Sequence, residues 1–200
     1  MTLKFSTLNV KGLASVDKRL QVFEWLKLNK SSVYFLQEMH CTQQNLFKWS
    51  KEWGNTIYIS GNSSNSKGVG ILLNLNKSYS VNNYIEVVEG RLQLLDIEID
   101  KKSFIFINIY GPNEDDVTFM NKLEDLINQY NDRTIILGGD FNTVIDYKLD
   151  KYNGKENTKR KSNQIINKII DNCELNDIWR TKYPDIKRYT WHSNHRPPIF

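Results

Sequence analysis

Two apolar runs of strand length, 91–99 and 103–110, follow one another across a short polar turn, which a purely parallel sheet does not allow. Five more segments rich in β-branched and aromatic residues lie at 3–9, 33–37, 56–60, 70–75 and 133–140. Run 91–99 alternates imperfectly, with Leu92, Leu94 or Leu95, Ile97 and Ile99 on one face. Run 103–110 is more continuously apolar, as a strand covered on both faces should be. Helical periodicity marks 18–28, with Leu20, Phe23, Leu26 and Leu28 as its buried stripe. It returns at 115–130, through Phe119, Leu123, Leu126, Ile127 and Tyr130, and at 161–173, through Ile165, Ile166, Ile169 and Ile170. Residues 61–68, rich in Ser and Asn, read as a loop. The expected fold is α/β of the α+β type, a four-layer sandwich of two packed mixed β-sheets flanked by helices.

A chain of 200 residues suffices for one domain with a sizeable core, and 1–200 reads as a single domain. With 40% hydrophobic and 25% charged residues, disordered and collagen-like classes are excluded. No apolar run reaches membrane-spanning length, and the first five residues carry no secretory pattern. Cys41 and Cys173 lack metal-ligand spacing and are expected as free thiols in a reducing compartment. The net charge of +4 is uneven: residues 1–147 carry 15 basic and 17 acidic side chains, residues 148–200 carry 12 and 6. That basic last quarter could face a polyanion, or its lysines could simply be solvated. A new strand begins near Ile199, so the domain is expected to be incomplete at its C-terminus, with its last strands missing.

Four predicted strands end in a polar residue. Run 3–9 ends in Asn9, run 33–37 delivers Gln37 and Glu38, run 103–110 ends in Tyr110, and run 133–140 passes Gly138 and Gly139 into Asp140, Phe141 and Asn142. Taken singly, Asn9 fits a turn, Glu38 a solvated carboxylate and Tyr110 a core-edge aromatic. Gathered at one sheet edge, they would suit a hard divalent cation and a phosphate.

The ordered set Asn9-Val10-Lys11-Gly12-Leu13, Leu36-Gln37-Glu38, Asn108-Ile109-Tyr110-Gly111-Pro112-Asn113 and Gly139-Asp140-Phe141-Asn142 resembles the endonuclease/exonuclease/phosphatase superfamily. Within it, Leu175-Asn176-Asp177-Ile178-Trp179-Arg180 and Tyr189-Thr190-Trp191 look similar to the endonuclease domain of non-LTR (LINE-type) retrotransposons. The resemblance implies a Mg²⁺-dependent DNA endonuclease, with Mn²⁺ as a possible substitute, that nicks one strand to expose a 3′-hydroxyl for reverse transcription. It implies catalytic roles for Asn9, Glu38, Tyr110, Asp140 and Asn142, with Asn9, Glu38, Asp140 and Asn142 around the metal. Glu38 would hold the ion, Asp140 would deprotonate the attacking water, Asn142 would bond the phosphate oxygens and Tyr110 would serve as a nearby phenol. Lys11, Arg91, Asn113, Lys151 and Thr190 are the implied DNA contacts. DNA as partner, a reverse transcriptase downstream in the same polyprotein, no membrane, a monomeric state and a nuclear location follow from the same resemblance.

The family pattern continues with a Ser-x-x-Asp strand and a Ser-Asp-His motif that these residues do not supply. His192 and His195 stand in a predicted loop and do not fit the family's histidine, and His40 is expected to point away from Glu38. The chain is therefore expected to be inactive or impaired as it stands. The alternatives are an apurinic-site, exonuclease III-like repair nuclease and a catalytically dead nucleic-acid-binding fragment. Inositol phosphatases of the superfamily carry Trp and Arg where Leu137 and Val144 stand, which argues against that branch.

Overall fold

The structure is a computed structural model and describes residues 2–152 and 161–190. Two compact units emerge, one from the chain up to Gly111 together with Gln129–Asn142, the other from Pro112–Asn128 and the chain from Thr143 onward.

The first unit holds two mixed four-stranded sheets. In one, β1 (Phe5–Asn9), β2 (Val33–Gln37), β4 (Val69–Leu73) and β3 (Ile57–Ser60) lie side by side in that order. In the other the order is β5 (Tyr79–Val88), β6 (Leu92–Ile99), β7 (Lys102–Tyr110) and β8 (Thr134–Asp140). The pairing pattern repeats. β1 runs parallel to β2 and β8 parallel to β7, while every other neighbouring pair is antiparallel. The two sheets pack face to face, and helices α1 (Val16–Asn29) and α2 (Leu46–Trp53) cover the outer face of the first. Two mixed sheets with flanking helices are the architecture the strand order predicted.

Strand β2 shows why its run is apolar throughout. Tyr34 and Leu36 enter the helix-side core with Phe23, Leu26, Trp49 and Trp53, whereas Val33 and Phe35 enter the inter-sheet core with Ile71, Leu95, Ile97 and Phe106. Strand β6 explains its imperfect alternation in the same way. Leu95, Ile97 and Ile99 face the inter-sheet core, and Leu92 and Leu94 are fully buried on the opposite face.

The expected stripe of α1 needs correction. Phe23 and Leu26 are buried, but Leu20 and Leu28 are exposed, and their place inward is taken by Arg19. Arg19 is tolerated there because Glu52 accepts from its Nε at 2.6 Å and its Nη2 at 2.9 Å, while the Leu13 carbonyl accepts from Nη1 at 2.8 Å. Strand β5 was not expected at all. It is an edge strand with two register irregularities and mostly half-exposed or exposed side chains, so it lacks a clean apolar period. Helix α2, also unforeseen, is short and marked only by Trp49 and Trp53 one turn apart.

The second unit is helical: α3 (Val117–Asn128), α4 (Tyr147–Asp150), α5 (Lys161–Asn172) and α6 (Ile178–Lys182). Helices α3 and α5 pack on one another. α3 buries Phe119, Leu123, Leu126 and Ile127 as expected, but ends before Tyr130, which is half-buried. In α5 only Ile166 and Ile169 are buried; Ile165 and Ile170 sit at the margin. Among the described residues no helix is long and apolar enough to cross a membrane, and both cysteines are free thiols.

Candidate active site

Because β1 and β2 are parallel, and β7 and β8 are parallel, each pair delivers its last residues side by side. Asn9 is in register with Gln37, and Tyr110 with Asp140. The sandwich brings the ends of β1 and β8 together, so four strand termini meet at one edge of the first unit.

The residue after β2 is Glu38, at φ +52° in the left-handed region, which non-glycine residues rarely occupy. Its flank is pinned by main-chain bonds, from Met39 N to the Gly68 carbonyl and from His40 N to the Lys67 carbonyl, both 2.9 Å. Asp140 depends on the glycine before it. Gly139 has φ +150°, and a Cβ there would lie 2.0 Å from the Ile109 carbonyl oxygen. β8 can therefore hug β7 only with glycine at that position.

The side chains converge. The Asn9 amide nitrogen donates to Glu38 Oε1 at 2.7 Å and to Asp140 Oδ2 at 3.0 Å. The Tyr110 hydroxyl donates to the same Glu38 oxygen at 3.1 Å. Asn142, also left-handed at φ +50°, donates its backbone N–H to Asp140 Oδ1 at 3.1 Å and its amide to the Gly111 carbonyl at 2.8 Å. Burial pushes the Tyr110 phenol up to about 12, and the adjacent Glu38 carboxylate adds to this. The phenol thus keeps its proton at neutral pH and can act as a donor.

Beneath this edge lies a buried amide pair. Gln37 Nε2 donates to Asn108 Oδ1 at 2.8 Å, and the Asn108 amide donates to the Leu36 and Gly70 carbonyls, each at 2.9 Å. These bonds cross between the sheets and fix the separation of the strand ends. Neither Gln37 nor Asn108 is among the residues expected to act at the site. An amide inside a continuously apolar strand was the available signal.

Asn9, Glu38, Tyr110, Asp140 and Asn142 therefore form one cluster. Lys11 is exposed beside it, and its N–H donates to Asn9 Oδ1 at 3.1 Å. Arg91 lies half-buried against the Tyr110 ring, its guanidinium carbon 5.1 Å from the ring centre. Asn113, Lys151 and Thr190, all exposed, belong to the second unit. There the Trp179 and Tyr183 rings are tilted at 45° with centres 4.5 Å apart, and Arg188 lies over Trp179. His40 turns from the cluster toward Gly12, where an added Cβ would meet its Nδ1 at 2.8 Å. Trp191, His192 and His195 lie outside the described residues.

The donor set tests whether a divalent cation fits. Among the described residues no three His, Cys, Asp or Glu side chains gather to hold a metal. Two carboxylates and amide groups remain, all hard donors, which suits an ion that keeps several waters, such as Mg²⁺. Glu38 Oε1 takes both hydrogen bonds, from Asn9 and Tyr110, and Oε2 takes neither.

The chain is 29% identical over 195 residues to a Xenopus laevis protein described as transposon TX1 uncharacterized 149 kDa protein, covering 96% of this chain and 15% of that protein's length. Its fold is similar to an AP endonuclease from Archaeoglobus fulgidus, with TM-score 0.71 and 20% identity over 98% of this chain and 80% of that one. It is also similar to AP endonuclease LMAP from Leishmania major, with TM-score 0.75 and 15% identity over 97% of this chain and 74% of that one. The endonuclease/exonuclease/phosphatase family profile matches residues 6–194, and the chain belongs to that family.

Proposed function

We propose that the chain is a DNA endonuclease that hydrolyses phosphodiester bonds and nicks one strand, with Mg²⁺ or Mn²⁺ held at the Glu38 edge. The observation that carries this reading is the single Asn9 amide nitrogen bonded to both Glu38 and Asp140, with the Tyr110 hydroxyl on the same Glu38 oxygen.

Glu38 and Asp140 would hold the ion, which when bound would neutralise charge on the scissile phosphate and the leaving oxygen. Asn9 keeps the two carboxylates apart and aimed, since its Oδ1 is engaged by Lys11 N–H and its nitrogen by both acids. Asp140 has the role of base, taking a proton from the attacking water. Tyr110, protonated at neutral pH, spends its one proton on Glu38 Oε1 and holds that carboxylate, while the Asn142 amide supplies a donor toward developing negative charge. The likeness to a transposon protein supports a role in mobilising an element, with the nick priming reverse transcription by another part of a longer polyprotein.

The test compares this chain and a version extended past Phe200, each with its Asp140→Ala and Glu38→Gln variants, on supercoiled plasmid in Mg²⁺, alongside calorimetric Mn²⁺ titration. Asp140→Ala should lower nicking at least about 100-fold with DNA binding retained, and Glu38→Gln should lower Mn²⁺ affinity at least about 10-fold. Equal nicking by wild type and Asp140→Ala would remove the catalytic reading and leave a nucleic-acid-binding role.

A further inference from the structure

We infer that Arg91 is a positioning residue that sets Tyr110 and Asn142 through the Gly111 carbonyl, and is not a DNA contact; this rests on the reading of the site given above. Arg91 closes the turn between β5 and β6, its N–H donating to the Val88 carbonyl at 2.9 Å. That turn is anchored on the other sheet. Gly90 N–H donates to Ser60 Oγ at 2.7 Å, and Gly68 N–H to the Gly90 carbonyl at 3.1 Å. Gly68 is also the residue whose carbonyl holds Met39, next to Glu38. The turn carrying Arg91 and the segment carrying Glu38 thus share one support.

From this fixed base Arg91 grips the end of β7 three ways. Its carbonyl accepts from Tyr110 N–H at 2.7 Å. Its Nη1 donates to the Tyr110 carbonyl at 3.2 Å and the Gly111 carbonyl at 3.0 Å. Its plane lies over the Tyr110 ring. The Gly111 carbonyl also accepts the Asn142 amide at 2.8 Å, and Gly111 N–H donates to the Asp140 carbonyl at 2.7 Å. One carbonyl therefore receives a donor from each side of the site, and its position fixes both. Both Nη1 protons are spent on these two carbonyls and the guanidinium face on the ring, so only Nη2 and Nε are left for any phosphate. Lysine could replace the charge, but not the planar fork or the face that meets the ring.

The experiment uses the full chain, its Arg91→Met and Arg91→Lys variants, and 3-fluorotyrosine labelling, with the Tyr110 resonance assigned through Tyr110→Phe. Both variants should shift or broaden the Tyr110 fluorine signal and lower the nicking kcat about 100-fold. DNA affinity and its salt slope should be unchanged, and Arg91→Lys should not rescue. An unmoved fluorine signal in both variants overturns the inference. So does a salt slope reduced by about one with kcat intact, which is the signature of a phosphate contact. The fluorine arm needs no catalysis, so it decides the role of Arg91 even where neither this chain nor one extended past Phe200 nicks DNA, the outcome that would sink the functional reading.

Discussion

Asn9 and Asp140, 131 positions apart in sequence, are joined by a 3.0 Å hydrogen bond from amide to carboxylate. The bond exists because each sheet keeps one parallel pair, and both pairs end at the same edge. Antiparallel strands would have sent Glu38 or Asp140 to the opposite end. Strand direction, set by the crossovers between β1 and β2 and between β7 and β8, is thus what assembles the site.

The Asn9 amide is the shared donor between two acids, so its removal leaves like charges facing one another with less to hold them. Asn9→Ala should lower both Mn²⁺ affinity and nicking by about 10- to 100-fold, the usual loss for a residue that orients metal ligands. Titration calorimetry and the plasmid assay check it together. A drop in nicking with Mn²⁺ affinity unchanged would place Asn9 on the substrate instead.

Much of this arrangement was legible because the residues that matter break a pattern. Asn9, Gln37, Glu38, Tyr110 and Asp140 each end an apolar run, and Gly138-Gly139 before Asp140 marks a close backbone approach. What stayed hidden depends on partners that sequence does not place. Arg19 reads as a surface cation until Glu52 is brought beside it, and Leu20 and Leu28 read as core until Arg19 takes the inward position. Strand β5 escaped notice because an edge strand needs no apolar face of its own. The two carbonyls under the Arg91 guanidinium are likewise visible only in coordinates.

The Arg19–Glu52 pair gives a pH signature. The Arg19 hydrogen bonds, and then its charge, hold the Glu52 carboxyl below its ordinary value of 4.5. A carboxyl depressed in the folded state stabilises above its unfolded value, and that contribution is lost as pH falls through the folded one. Urea unfolding of wild type and Glu52→Gln should therefore differ at pH 7 and converge below about pH 4.5 as Glu52 protonates. A difference that persists undiminished into acid would mean that shape, not charge, makes the contact.

The amide of Asn108 is the last test, because it separates stability from site geometry. It donates to the Leu36 and Gly70 carbonyls and accepts from Gln37 between the two sheets, in a setting without exposed surface. Asn108→Leu keeps the side-chain branching but strands a buried Gln37 donor and frees two carbonyls, so urea unfolding should show a loss of about 3 kcal/mol. Pairing it with Gln37→Leu removes both ends of the bridge and should recover part of that loss, a coupling a double-mutant cycle reads directly. Gln37 immediately precedes Glu38, so the double variant should also bind Mn²⁺ more weakly even where its stability is restored. Additive losses in stability, or Mn²⁺ affinity equal to wild type, would show that the bridge between the sheets does not set the position of Glu38.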